Sequence, residues 1–93
     1  MIRREANRIV ISGPVTLENV TGILAEGIAY VRSGASLVDL AEVSELDSSL
    51  LAAMLALIRE ARLANHSLAL ANLPAGLQTL AELYGVAELL PAA

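Results

Sequence analysis

The sequence predicts an α/β fold: a single domain over residues 1–93, with a mixed β-sheet packed by about three to four helices. Three observations predict it. Short apolar runs alternate with longer stretches of helical periodicity, which argues for strands that are at least partly parallel. Ninety-three residues suffice for one domain and are too few for two. Apolar residues make up 56% of the chain and charged residues 17%, a balance that suits a buried core and not a disordered segment.

The elements read in order as follows. Arg8-Ile9-Val10-Ile11-Ser12 is a short strand, and Gly13-Pro14 is a turn signal. Val15-Thr16 either begins another strand or leads into a helix for which Thr16 is the expected N-cap. Leu17, Val20, Ile23 or Leu24, Ile28 and Val31 then recur at helical spacing until Ser33-Gly34. Ser36 to Leu40 is a buried-looking strand, followed by an expected loop from Ala41 to Leu46. Ser48 to Ala64 is a second helix, broken by Asn65-His66, and Ser67 to Ala71 is another strand. Pro74 suits the first turn of a third helix that runs to about Tyr84, with Gly85 as its cap. Val86 to Leu90 is a short last element and Pro91-Ala92-Ala93 a tail.

The second helix is unusual. Leu51, Met54 or Leu55, Ile58 and Ala61 form one apolar face, and Leu50, Ala53 and Leu57 form another. A surface helix carries one apolar stripe, whereas a helix apolar all round is buried on every side. Two readings are open. The Leu50–Ala53–Leu57 face awaits another chain or a weak homodimer mate, or the other helices cover it.

Composition excludes several functions. The net charge is −4 and only 2% of residues are aromatic, so the basic, aromatic-laced footprint of nucleic-acid binding is missing. There is no basic amphipathic helix for a membrane surface. The longest wholly apolar run, Leu50 to Ile58, is far shorter than the roughly 20 residues of a membrane span, so direct membrane insertion is not expected. Met1 to Glu5 shows no apolar signal region. The absence of cysteine excludes disulfides and thiolate metal sites and suits a cytoplasmic location. One histidine and no cysteine make a metal site improbable, and no cofactor is implied.

The stretch Leu37-Val-Asp-Leu-Ala-Glu-Val-Ser-Glu-Leu-Asp-Ser-Ser-Leu-Leu51 resembles the core motif of STAS domains (sulfate transporter and anti-sigma-factor antagonist). In that motif a buried strand ending in Asp-Leu leads through a loop to Asp-Ser/Thr-Ser/Gly-Gly-Leu, which opens a helix. Asp39 and Leu40 match the strand end, and Asp47, Ser48, Ser49 and Leu51 match the helix start. Leu50 stands where the family has Gly, a departure expected to crowd or reshape the partner contact. Within the family the chain is most similar to the MlaB-type small subunit of the lipid-asymmetry ABC transporter, and Gln78 to Val86 is similar to that subunit's last helix.

The resemblance implies a non-enzymatic cytoplasmic subunit, peripheral to the inner membrane, that binds the transporter ATPase in phospholipid trafficking. Its alternative is an anti-sigma-factor antagonist that binds an anti-sigma-factor kinase and is phosphorylated on Ser48. The expected partner-binding residues are Asp47, Ser48, Ser49, Leu50, Ala53, Leu57 and Tyr84.

Asp47-Ser48-Ser49 also has a rationale of its own. Ser or Asp at a helix start accepts a backbone N–H, and an anion there meets the positive end of the helix dipole. A phosphate on Ser48 would be tolerated by the domain and would change what a partner meets. Arg59 and Arg62 near the end of the second helix suit its dipole, or form a polar rim to a partner face. A serine hydrolase needs a base for its nucleophile. The only histidine, His66, follows a helix end, where a turn or capping role is expected.

Overall fold

The computed structural model describes all residues, Met1–Ala93. Its strands are β1 (Ile2–Glu5), β2 (Arg8–Val15), β3 (Leu37–Leu46) and β4 (Ala69–Ala71). Its helices are α1 (Val20–Arg32), α2 (Ser48–Leu63) and α3 (Ala75–Leu83), with a 3-10 turn at Ala87–Leu89. The sheet order is β1-β2-β3-β4; β1 pairs with β2 antiparallel, and β2–β3 and β3–β4 are parallel. Both parallel connections step in the same direction across the sheet. With the usual right-handed crossover this puts α1 and α2 on one face. No helix is long and apolar enough to cross a membrane.

Two strands exceed their sequence reading. β2 runs on through Gly13-Pro14, and β3 runs on through the expected loop at Ala41–Leu46, with Ser12 opposite Glu42 and Val15 opposite Leu46. Proline is tolerated because β1 pairs only as far as Ile11, so the missing Pro14 N–H falls on an unpaired edge. The register shifts at Gly13/Pro14, and Gly13 takes φ +77° there. β1 itself carries no sequence signal: Ile2-Arg-Arg-Glu5 is mostly charged, and Ala6, at φ 56°, makes its hairpin without glycine.

α1 begins later than the spacing suggests. Asn19, not Thr16, is the N-cap residue; its Oδ1 accepts the Thr16 N–H at 2.9 Å and its Nδ2 donates to the Pro14 carbonyl at 2.8 Å. Residues 16–19 therefore form a turn that leaves Leu17 outside the helix and 77% exposed. The far end of α2 closes as expected of a helix terminus. Asn65 takes φ 62°, and the His66 N–H donates to the Ala61 carbonyl at 3.0 Å.

The core lies between the sheet and its helices, with Ile9, Ile11, Val38, Leu40 and Leu70 facing Ile23, Val31, Met54 and Leu77. α2 is the middle helix, flanked by α1 and α3. This position decides the question its sequence left open. Leu50, Ala53 and Leu57 are at most 2% exposed, and Leu57 packs against Gly27 of α1. The second apolar face is therefore covered within the chain and is not a docking face. The opposite face of the sheet carries charges instead, including an Arg3–Glu42 pair at 3.1 Å and an Arg8–Asp39 pair at 3.5 Å. Hydrogen bonds from Asn72 and the Ala41 N–H hold the Asp39 carboxyl below its ordinary pKa.

Candidate functional site

The site forms where β3 hands over to α2. Asp47 is the N-cap: one carboxylate oxygen accepts the Ser49 N–H at 2.9 Å and the Ser49 hydroxyl. The other oxygen accepts the Leu17 N–H at 3.0 Å. One side chain thus ties the start of α2 to the turn before α1. These bonds, with the Ser49 hydroxyl contributing most, hold the Asp47 carboxyl below its ordinary pKa. Because Asp47 and Ser49 satisfy one another, Ser48 takes no part in the cap and points to solvent.

Two open hollows flank Ser48. The first, of about 390 Å³, lies between α1 and α2, with Leu17, Val20 and Leu24 on one wall and Ser48, Ala52 and Ala53 on the other. The second, of about 320 Å³, lies toward α3 and is walled by Ser48, Leu51, Ala52, Leu55, Tyr84 and Val86. Ser48 and Ala52 belong to both and form a low ridge between them, one helical turn apart. Small side chains on this ridge keep the surface shallow, while apolar side chains rise on each side. Such a shape suits the apolar side chains of another protein.

The expected site residues divide into three groups. Ser48 and Tyr84, 36 residues apart in sequence, share one hollow, and Tyr84 is 59% exposed. Asp47 and Ser49 are half-buried and shape the site from beneath. Leu50, Ala53 and Leu57 are buried, so these three do not offer a face to a partner. Ala53 forms only part of the floor of the first hollow. Leu50, standing where the resemblance places Gly, is fully buried and fills the core; it does not crowd the surface.

Sequence reasoning missed Leu17, Val20, Leu24, Ala52 and Val86. Ala52 was accessible from position alone, since it stands four residues after Ser48 on the same stripe. His66 lies beyond the opposite end of α2, roughly 24 Å from Ser48 along a sixteen-residue helix. Its Nε2 sits 3.0 Å from the Val31 carbonyl, so it does not serve as a base for Ser48. No group of three or more metal-ligating side chains gathers anywhere in the fold.

The chain resembles known proteins in sequence family and in fold. A family model described as Mlab, STAS domain, matches residues 2–91. Comparison with curated proteins returned no match. Among solved structures, the chain is similar to the anti-sigma factor antagonist SpoIIAA in its unphosphorylated form, with a TM-score of 0.73 and 18% identity over 100% of this chain and 86% of that one. It is similar also to the Bacillus cell fate determinant SpoIIAA in the phosphorylated form, with a TM-score of 0.69 and 18% identity over 100% of this chain and 89% of that one. At this identity the likeness establishes the fold.

Proposed function

The chain belongs to the STAS-domain family, matched over residues 2–91, and from that membership we propose that it is a non-enzymatic subunit that docks on the ATPase of a phospholipid-trafficking ABC transporter. The observation that carries this reading is the Ser48–Ala52 ridge between two apolar hollows. The ridge lies on a capped helix held between two others. It is also accessible, because Asp47 rather than Ser48 meets the cap. The description of the matching family as MlaB-type supports a transporter partner. Docking of this kind would hold the domain at the cytoplasmic side of the inner membrane through its partner.

The test uses two Ser48 variants, co-purified with the transporter ATPase of the same organism. Ser48→Ala leaves the cap intact, so its melting temperature should match the parent and binding should persist. Ser48→Glu puts an anion in the first helical turn, which favours the fold by about 0.3–1 kcal/mol before repulsion from Asp47. The same charge desolvated beneath a partner costs several kcal/mol, and each 1.4 kcal/mol is about tenfold in affinity. The expected result is a folded Ser48→Glu variant that no longer co-purifies. Normal co-purification would remove Ser48 from the interface and the reading with it.

A second reading is an anti-sigma-factor antagonist that binds a kinase and is switched by phosphorylation of Ser48. The fold likeness to SpoIIAA in both of its forms supports it, as does an exposed serine at a helix N-terminus. An intact-mass gain of one phosphoryl group on incubation with an anti-sigma kinase and ATP, absent from Ser48→Ala, selects this reading.

A further inference from the structure

Resting on the docking reading above, we propose that the partner segment seated along α2 is an amphipathic helix with an acidic end, and that its carboxylates meet Arg59 and Arg62. A third hollow, of about 280 Å³, continues the groove down α2, and it is walled by Leu55, Ile58, Arg59, Arg62 and Leu89. It shares Leu55 with the second hollow, so these two follow one another along the α3 side of α2, while the first lies across the Ser48–Ala52 ridge. The track of these two is apolar at its Ser48 end and cationic at its far end. An extended apolar groove beside one helix is the surface that an amphipathic helix fills.

The charge pattern points to an acidic occupant. The chain has 6 Lys or Arg residues against 10 Asp or Glu residues. Its ion pairs employ Arg3, Arg8 and Arg32, and Arg4 donates to oxygens of Ser33 and Ala6. Arg59 and Arg62 remain exposed, with no carboxylate paired to either. With a net charge of −4 the surface as a whole repels an acidic segment, and this end of the groove is where one is attracted. Placement near a helix C-terminus explains a favourable effect of the two arginines on α2. It does not require them to wall a hollow continuous with the docking surface. Eleven to fourteen residues separate Ser48 from the pair, so the partner's carboxylates should lie roughly 17–21 Å along its axis from the side chains over Ser48.

The probe is the purified transporter ATPase, titrated calorimetrically at salt concentrations of about 50 and 300 mM. Parent binding should weaken at the higher salt. Arg59→Glu/Arg62→Glu should lose on the order of tenfold or more in affinity at the lower salt. Arg59→Gln/Arg62→Gln should lose less and show a flatter salt dependence. Thermal melts establish that both variants are folded, since each substitution is on the surface. If both arginine variants bind like the parent while Ser48→Glu does not, the acidic-helix proposal is overturned and the docking reading stands. If the parent itself fails to bind the ATPase, both are overturned. If the arginine variants keep the ATPase but lose binding to anionic phospholipid vesicles, the cations serve a membrane surface and the proposal is likewise wrong.

Discussion

Leu57 offers the sharpest test of how this fold is held, because its sequence context suits a docking face and its structure makes it core. Its side chain is 1% exposed and lies against Gly27, where α1 crosses α2. A methyl group built on Gly27 would stand 3.1 and 3.2 Å from the two Leu57 methyl carbons. Ordinary carbon contacts are about 3.5–4.0 Å, so Leu57 must shift to admit it. Gly27→Ala alone should therefore gain about 1 kcal/mol from helix propensity and lose about 1–3 kcal/mol from overpacking, for a net loss of up to about 2 kcal/mol. Leu57→Ala should cost about 2–5 kcal/mol through lost burial and the void it leaves.

In the Leu57→Ala background the obstruction is gone, so Gly27→Ala should stabilise by about 1 kcal/mol. The coupling energy of the pair is then about 1–3 kcal/mol. A domain of this length has a stability of roughly 5–14 kcal/mol, which leaves roughly 0–12 kcal/mol for Leu57→Ala and more for Gly27→Ala. Urea unfolding followed by circular dichroism measures all four corners of the cycle. Additivity within about 0.5 kcal/mol would mean that α1 and α2 do not meet at Gly27 and Leu57, and the assignment of this face to the core would fail.

Asp47 should reveal itself through pH. Its folded-state pKa is depressed, so its contribution is present above the ordinary carboxylate value and is lost as pH falls through the folded value. Asp47→Asn, which replaces one acceptor by a donor, should lower the melting temperature at neutral pH, and the gap from the parent should close below about pH 4; a gap that widens on acidification would show that the carboxylate is not the clamp. Ala52 stands on the exposed ridge, so Ala52→Asp should change stability by no more than about 0.5 kcal/mol yet reduce ATPase affinity by more than about tenfold. Binding unaffected by Ala52→Asp would move the interface off this ridge.

Most of the element order was legible, because the helices carry strong 3.6-residue periodicity and clear terminators. Asn65-His66 and Gly85 end helices as their chemistry requires, with Asn65 and Gly85 at positive φ. The extra lengths of β2 and β3 were not legible. Gly13-Pro14 is a turn signal by local rules, and Glu42, Ser44 and Glu45 look like a loop, until each segment supplies the other's hydrogen bonds. β1 was invisible for a related reason: it is an edge strand held by pairing to β2, with Arg3 paired to Glu42 of β3 and Glu5 to Arg8 of β2. At the site, Asp47-Ser48-Ser49 stood out as a helix start, but the division of labour within it did not. Only the Leu17 N–H, brought in from a distant turn, reveals Asp47 as a clamp.

The sequence by itself determined that this is one α/β domain, that the first three turns of its second helix are apolar all round, and that the Asp47 turn opens that helix. It also determined the absence of thiols and of a basic, aromatic-laced surface. Tertiary structure decided which of the apolar faces is free. Hydrophobic periodicity records that a side chain gains by leaving water, and not which neighbour removes it. Gly27 allows α1 to come close enough to cover Leu57. Tyr84, at the C-terminal cap of α3, stays exposed, and the turn at residues 16–19 holds Leu17 outward. The surface left between these neighbours, centred on two of the smallest side chains of α2, exists only once the helices are packed.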